Sequence, residues 1–274
     1  MSRSHGAGTT VERHSTESLA PIRSVRPITL LLLGGFDAQI AGRSIPLRAA
    51  EQRLIALVAL LGRPASRLSV AGTLWPEVTD EHALGSLRST LWRLRQRGVD
   101  AIQVAGDSLR LRSHVSVDLW ACVGSADRLL TSNGVPAAVK IEVYDGEEAL
   151  RSAGELLPHW SDEWVTVERE RFRQLRLHAL ERACLHLARL GQYGRAVDIG
   201  LAAVSAEPLR ESAHRALIEV HAAEGNVGEA IRQFHSYERL MREELGLGSS
   251  PDMRDLIAGI LASRTGPGEA VAAR

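Results

Sequence analysis

The sequence predicts a mainly α-helical protein in which a small α+β module precedes an all-α module. Three observations support this fold class. Short apolar segments separated by glycine, which are typical of strands, occur only within residues 28–112. Amphipathic helical segments fill most of residues 118–264. Within them, two similar stretches lie 34 residues apart, the spacing of a repeated helical hairpin.

Length and composition agree with two modules. The chain has 274 residues and 45% hydrophobic content, which supplies enough apolar surface for two cores. We expect domains over residues 25–115 and 116–264, with separate cores joined near residues 113–118. Residues 1–24 and 265–274 are expected to be disordered tails.

The chain has no recognisable membrane or export signal. No apolar run reaches the roughly 18 residues of a membrane span, and the first residues lack the apolar segment of a secretory signal. Cys122 and Cys184 belong to no CxxC or Cys/His cluster and are interpreted as buried small hydrophobes in a reducing compartment. We therefore expect a cytoplasmic protein without membrane contact.

Charge is distributed unevenly, although the net charge is zero. Residues 1–115 hold 15 arginines against nine acidic residues, a balance of +6. Residues 116–274 hold 18 basic against 24 acidic residues, a balance of −6. This asymmetry indicates a basic module that binds an anionic partner and a separate acidic module.

The α+β module begins with short strand-like segments over residues 28–33, 36–40 and 44–47, which predict a small antiparallel sheet. A helix over Ala49–Leu61 follows and ends at a Gly-Arg-Pro stop signal. Ser66 is placed to cap a second helix that runs to Trp75.

A third helix is predicted from Thr79 or Asp80 to Gly98. Its apolar stripe has 3-4-3 spacing. The stripe consists of Leu84, Leu87, Leu91 and Leu94. The opposite face carries Ser86, Ser89, Arg93 and Gln96, and one edge carries Arg88, Trp92 and Arg95.

A hairpin closes the module, with strands over residues 101–104 and 108–112 around Gly106-Asp107. Strands, three helices and a hairpin in this order predict a winged helix-turn-helix of α+β type with an N-terminal sheet. A helix fits the major groove of DNA, and arginine donates in a bidentate fashion to guanine. The third helix is therefore the candidate recognition helix.

Ten residues are candidate contacts to DNA. Arg88 and Arg93 are candidates for base readout, and the others suit close approach, phosphates or the minor groove. The set is Arg67, Ser86, Arg88, Ser89, Thr90, Arg93, Arg95, Arg97, Arg110 and Arg112. Taken alone, the helix arginines fit an ordinary solvated face, and it is the order of the elements that favours DNA. Trp92 suits a phosphate contact and packing against its own domain equally well.

The all-α module is predicted to contain a helix over residues 118–130, a looser region over 132–158, and five helices. The five helices cover about 165–190, 193–206, 210–224, 227–244 and 252–263. Stretches 187–198 and 221–232 superpose Gly191 on Gly225 and Ala196 on Ala230. A glycine in the turn and a small residue at the helix crossing are typical of TPR-like hairpins.

These residues resemble a known family. LLGGFDAQIAGRSIPL, the LW of GTLWPE and SLRSTLWRLRQRG are similar to the OmpR-type winged-helix domain of the antibiotic-regulatory (SARP) transcriptional regulators. WSDEW at 160–164 and RLMREELGL…SPDM at 239–253 resemble the bacterial transcriptional activator domain that follows it in that family. The similarity covers about residues 27–264.

The resemblance implies a DNA-binding transcription regulator, often an activator of secondary-metabolite genes in actinobacteria. It implies binding to tandem repeats in double-stranded DNA, contact with the RNA polymerase holoenzyme, self-association on DNA, and a nucleoid location when DNA-bound. Larger members add an ATPase module, but the sequence contains no GxxxxGK[ST] motif, so nucleotide-driven switching is not expected.

No enzyme chemistry is indicated. The ten histidines form no HExxH motif and no Cys/His cluster, and the adjacent acidic pairs 147–148 and 243–244 are interpreted as solvated helix charges. We therefore expect no catalytic residues, no metal site and no cofactor.

Two other functions stay open at this point. The chain suits a TPR-type interaction adaptor in which the winged helix has a structural role. It also suits a small-molecule sensor with Trp120, Trp160 and Trp164 lining a pocket, although aromatics at helical spacing are more often core residues. A steep salt dependence of binding to random duplex DNA would favour the regulator over the adaptor.

Overall fold

A four-stranded sheet forms the N-terminal end of the molecule. The computed structural model describes residues 26–131 and 140–263; the tails expected over residues 1–24 and 265–274 lie outside these residues. The strands are β1 (Ile28–Leu31), β2 (Asp37–Ile40), β3 (Arg43–Ser44) and β7 (Val115–Val117), in the order β3-β2-β1-β7. Strand β7 pairs parallel with β1. It was not predicted, because three residues are too few for an alternating pattern to emerge.

Three helices follow the first strands, with bounds close to those predicted. They are α1 (Ala49–Leu61), α2 (Arg67–Leu74) and α3 (Asp80–Gln96). Gly62 ends α1 in the left-handed conformation at φ 60°, which glycine adopts without the steric penalty of a side chain. The Ser66 hydroxyl accepts the N–H of Ser69 at 3.1 Å and caps α2.

The wing is a three-stranded sheet. Strand β5 (Ile102–Ala105) and strand β6 (Ser108–Leu111) form the predicted hairpin, and β4 (Ala65–Ser66) pairs with the free edge of β6. Because β4 immediately precedes α2, this pairing fixes the wing against the start of that helix. The prediction of a mixed α/β module at the N-terminus is confirmed.

The remainder of the described chain is mainly helical, and six of its seven helices were predicted. It comprises α4 (Asp118–Thr131), α5 (Lys140–Ser152), α6 (Glu163–Arg189), α7 (Tyr193–Ala206), α8 (Glu211–Glu224), α9 (Val227–Leu245) and α10 (Pro251–Ala262). Within the described ranges, no helix is both long and apolar enough to cross a membrane.

Helix α5 lies within residues 132–158, for which the sequence predicts no regular helix. The glycine at position 146 weakens the helical signal, since glycine in a helix interior costs about 1 kcal/mol relative to alanine. Packing explains its presence, because a Cβ at Gly146 would lie 3.0 Å from the Cβ of Ser125. Packing of α5 closely against α4 therefore stabilises this helix. Such packing leaves no periodic pattern in the local sequence, so the helix could not be predicted from it.

The expected repeat is present. Gly191 and Gly225 follow α6 and α8 at φ values of 73° and 89°, so each permits the tight turn into the next helix. Ala196 and Ala230 are both completely buried. The hairpins α6–α7 and α8–α9 are thus two copies of one unit, in agreement with the 34-residue offset.

The two modules do not have the separate cores that we expected. One continuous cluster of buried side chains runs from Ile28 in β1 to Val220 in α8. The Asp118 carboxylate, at the start of α4, accepts the N–H groups of Leu32 and Leu33 at 2.9–3.0 Å. Removal of residues 116–274 would expose this shared surface on the N-terminal module.

The segment between α5 and α6 completes the junction. The N–H of Gly34 donates to the carbonyl of Glu155 at 2.7 Å, and the N–H of Leu157 donates to the carbonyl of Leu32 at 2.9 Å. Arg169 of α6 holds this segment by donating to the carbonyl of Leu156 at 2.8 Å. The sequence pattern changes from strands to helices near residues 113–118, but packing is continuous across this point. Backbone hydrogen bonds join residues 32–34 of the first module to residues 155–157 of the second.

Candidate nucleic-acid interface

Helix α3 has one buried and one exposed face. Ala83, Leu87, Leu91 and Leu94 are buried against the domain, whereas Leu84 is half-buried. The exposed residues on the other side are Arg88, Ser89, Trp92, Arg95 and Gln96. The apolar stripe thus holds the helix in place and leaves a mixed polar and aromatic surface outward, as a groove-binding helix requires.

Arg88 and Arg95 are the exposed cations of this surface. Neither guanidinium forms an ion pair or a side-chain hydrogen bond with another described residue. Both therefore keep all five N–H donors available to an external acceptor. Ser86, which is half-buried, Ser89 and Arg93 line the same 740 Å³ depression as Arg88 along the helix.

Trp92 lies outside the core of its domain. Its side chain is 61% exposed and stands beside Arg88, Ser89 and Arg93. An exposed indole among arginines presents both a flat apolar face and an N–H donor. Of the two alternatives from the sequence, the geometry agrees with the contact to an external partner.

Thr90 must be removed from the exposed set. It is completely buried, and its hydroxyl donates to the carbonyl of Ser86 at 2.8 Å and accepts from Arg93 at 3.1 Å. Thr90 is one of the predicted DNA contacts, but the structure does not support that prediction. Its position beside Leu91 on the helix surface turns it inward, where its hydroxyl bonds within the helix.

Arg93 and Arg97 are tied to the domain by a residue that the sequence analysis did not select. Glu51 in the first turn of α1 is completely buried, and its Oε1 lies 3.9 Å from Nε of Arg93 and 3.5 Å from Nε of Arg97. Arg97 also donates to the carbonyl of Pro46 at 3.0 Å.

A sequence signal for Glu51 exists. It precedes Leu54, Ile55 and Val58 by three, four and seven positions, so it occupies the buried stripe of α1. A charged residue on an apolar stripe requires a partner inside the protein.

Three further predicted contacts lie on the wing or on the start of α2, which is bonded to it. Nε of Arg110 donates to Gln103, and Nε of Arg112 donates to Asp100, both at 2.9 Å. Arg67 lies in the first turn of α2, where its N–H donates to the carbonyl of Asp107 in the hairpin turn at 2.8 Å. These three arginines are therefore associated with the wing.

The tryptophans of the sensor hypothesis do not share one pocket. Trp160 stacks on Phe36 with ring centroids 5.8 Å apart and helps to join the modules. Trp164 lines a cleft of about 670 Å³ between α1, α2 and α6, and Trp120 lines a depression of about 510 Å³ beside α4. The Trp120 indole N–H donates to the carbonyl of Ala59 at 3.0 Å. Within the described ranges, no group of His, Cys, Asp and Glu side chains is arranged to hold a metal ion.

Comparison with known proteins is informative for both modules. Residues 141–261 match the bacterial transcriptional activator domain family. The chain is 26% identical over 240 residues to the regulatory protein AfsR of Streptomyces coelicolor, covering 84% of this chain and 24% of that protein. It is 24% identical over 265 residues to AfsR of Streptomyces griseus, covering 95% of this chain and 27% of that protein. The chain thus spans about a quarter of the length of these relatives.

A solved structure shares the fold. EmbR of Mycobacterium tuberculosis, in complex with a low-affinity phosphopeptide, superposes with a TM-score of 0.65 at 19% sequence identity. The superposition covers 87% of this chain and 66% of that one. The shared arrangement therefore includes both the N-terminal α/β module and the helices that follow it.

Proposed function

We propose that the chain is an AfsR-type transcriptional regulator, namely a sequence-specific DNA-binding activator that inserts α3 into the major groove. The match of residues 141–261 to the bacterial transcriptional activator domain family supports this assignment. One observation carries the proposal. The helix buries a leucine stripe and exposes Arg88 and Arg95 on the other side, without ion-pair partners in the described chain. In a protein of zero net charge, unpaired arginines on a groove-sized helix favour an anionic ligand.

Each part of the surface has a proposed role. Arg88 and Arg93 read base edges, because a guanidinium fork matches O6 and N7 of guanine. Ser86 and Ser89 contact bases or phosphates at close range, and Arg95 with Arg97 contacts phosphates.

The wing supplies a second contact region. Arg67, Arg110 and Arg112 contact phosphates or the minor groove. Arg110 and Arg112 each direct Nε to a neighbour within the wing, which leaves the Nη groups for DNA.

Assembly on DNA is proposed as head-to-tail binding of two copies to tandem repeats. A single winged helix buries only about 600–1,000 Å², which is too little for tight specific binding in competition with a genome. The −6 balance of residues 116–274 complements the +6 balance of residues 1–115 in a neighbouring copy. The same acidic surface suits a contact with RNA polymerase beside the promoter, and the target genes of the family suggest secondary metabolism.

The deciding experiment is binding of the full chain to duplex DNA. A library of random 40-bp duplexes is put through repeated selection, and the enriched duplex is compared with an unselected pool at several salt concentrations. We expect enrichment of a repeated motif, and affinity for the pool that falls by about 0.9 log units per log unit of salt for each phosphate contacted. Failure of enrichment together with a flat salt dependence contradicts the proposal.

A TPR-type adaptor is the second candidate, and the paired hairpins α6–α7 and α8–α9 favour it. The flat salt dependence described above is the result it predicts.

Insertion of half a helical turn between the selected repeats tests the assembly separately. Unchanged affinity for the shifted duplex would mean that the copies bind independently.

A further inference from the structure

Glu51 is a completely buried carboxylate that leaves one oxygen without a hydrogen bond. Its Oε2 accepts the N–H of Arg48 at 2.8 Å and so caps the start of α1. Its Oε1 is also buried and has no hydrogen-bond partner among the described residues. A carboxylate oxygen buried in this way is unfavourable unless a nearby cation compensates it. Helix capping alone therefore does not explain why a carboxylate is buried at position 51.

The compensating cations come from the candidate recognition helix. Nε of Arg97 lies 3.5 Å and Nε of Arg93 lies 3.9 Å from Oε1 of Glu51. Nε of Arg93 is itself buried and has no hydrogen-bond partner among the described residues. The attraction between the buried Oε1 of Glu51 and the buried Nε of Arg93 is weakly screened by solvent, so it restrains the Arg93 side chain.

Arg93 is consequently held with one end inward and one end outward. Nε faces Glu51, and Nη2 donates to Thr90 at 3.1 Å. The side chain as a whole is still 36% exposed, and the exposed part lies beside Ser89 and Trp92. The outer end of the guanidinium is the part that reaches a ligand, and its orientation is fixed before the ligand arrives.

We infer that Glu51 is a positioning residue for sequence readout, which acts by orienting Arg93; this inference rests on the proposed DNA-binding function. Fixing a rotamer-rich arginine in advance lowers the entropy lost when it binds a base edge. The carboxylate also reduces the net positive charge of the interface by one, which weakens sequence-independent attraction to phosphates. Glu51 thus raises the ratio of specific to non-specific affinity in two ways.

The test uses Glu51→Gln in the full chain. Glutamine keeps the side-chain volume and an acceptor for the Arg48 N–H but removes the charge that attracts Arg93. Fluorescence anisotropy gives Kd for the duplex selected by the wild-type protein and for the unselected 40-bp pool. We expect the specificity ratio to fall about ten-fold, as for weakening of one bidentate base contact, while affinity for the pool stays equal or increases. Loss of affinity for both duplexes in equal proportion would overturn the inference, because a general distortion of the domain has that effect.

A double-mutant cycle shows whether Glu51 acts through Arg93. In the Arg93→Gln background, Glu51→Gln should change the specificity ratio less than two-fold, because the two effects share one contact. Additive effects, or coupling to Arg97→Gln alone, would overturn the inference. The matched control is Glu147→Gln, which neutralises another buried carboxylate near an arginine, Arg195 of α7, and should leave the ratio unchanged. If the wild-type protein selects no duplex, the proposed function fails, and that result is distinct from these outcomes.

Discussion

The junction between the modules and the outer face of α3 are both rich in hydrogen-bond donors. The donors are paired at the junction but unpaired on α3. At the junction, the N–H groups of Leu32, Leu33 and Gly34 are each met by an acceptor from the helical module. On α3, the guanidinium groups of Arg88 and Arg95 have no acceptor within the described chain. Satisfied donors stabilise the fold, whereas unsatisfied exposed donors are available to a ligand. Substitutions at the junction should therefore change stability, and substitutions on α3 should change binding.

The largest effect is expected for Asp118→Ala at the junction. Its carboxylate accepts the N–H groups of Leu32 and Leu33, and their loss leaves two part-buried donors without partners. We expect the free energy of unfolding to fall by about 3 kcal/mol, since each orphaned buried donor costs roughly 1–3 kcal/mol. Urea denaturation measures the change, and Asp127→Ala on the exposed side of α4 is the control. A loss below about 1 kcal/mol would mean that the junction does not hold the modules together.

Gly154→Ala tests how closely the modules approach one another. A Cβ at this position would lie 2.8 Å from the backbone N and Cα of Gly34, which cannot move as a side chain does. We expect a loss of about 2–3 kcal/mol in unfolding free energy from overpacking. Gly194→Ala in α7 is the matched control, because a Cβ there has no neighbour within 4 Å, and it should be neutral or stabilising. Equal behaviour of the two variants would contradict the packing described here.

Arg88→Ala is the corresponding substitution on α3. We expect specific affinity to fall by about 2 kcal/mol, as for loss of one bidentate base contact, with the urea midpoint unchanged. Arg173→Ala in the helical module, whose guanidinium is paired with Glu170 and Glu207, is the control and should leave DNA affinity unchanged. A lower urea midpoint for Arg88→Ala, with affinity retained, would reverse the roles assigned to the two regions.

Arg95→Ala distinguishes phosphate contact from base readout on the same helix. We expect specific and non-specific affinity to fall together by about ten-fold, or 1.4 kcal/mol, and the salt slope to flatten by about one. The measurement is the same anisotropy titration over a range of salt. A change confined to the selected duplex would assign Arg95 to base readout instead.

The contrast between the two regions also explains which parts the sequence predicts well. Helix α3 is defined by its own leucine spacing, and the exposed positions of Arg88 and Arg95 follow from that period. Residues whose environment depends on another element were misplaced or missed. Thr90 was expected at the surface although its hydroxyl is buried, and Glu51 was not selected although two arginines face it.

The same distinction applies to the fold. The bounds of α1 and the 34-residue repeat are local patterns, and both agree with the structure. Strand β7 and helix α5 depend on pairing and packing with distant segments, and neither was predicted. The shared core depends on contacts between residues more than 80 positions apart, such as that between Leu32 and Asp118, and no periodicity records such contacts.

The interior of the helical module contains another buried carboxylate, which has fewer hydrogen-bond donors around it than Asp118 has. Glu147 of α5 is almost completely buried, with Oε2 3.0 Å from Arg195 and with Oε1 lacking a hydrogen-bond partner among the described residues. Asp118 accepts three backbone N–H groups, whereas Glu147 has one arginine among the described residues to offset its burial. Desolvation therefore dominates and raises the pKa of Glu147 from 4.5 to about 7.

The smallest predicted effect follows from that raised pKa. Between pH 4.5 and about 7 the folded protein binds more protons at Glu147 than the unfolded chain does, so stability contributed by this group declines as the pH rises through that interval. Glu147→Gln should abolish the decline, with a difference of about 1 kcal/mol between wild type and variant in the change of unfolding free energy from pH 5 to pH 6. Urea denaturation of both proteins at the two pH values measures it. An identical pH dependence in the variant would mean that Glu147 is ionised throughout the interval, so that Arg195 compensates its burial as fully as the backbone donors compensate Asp118.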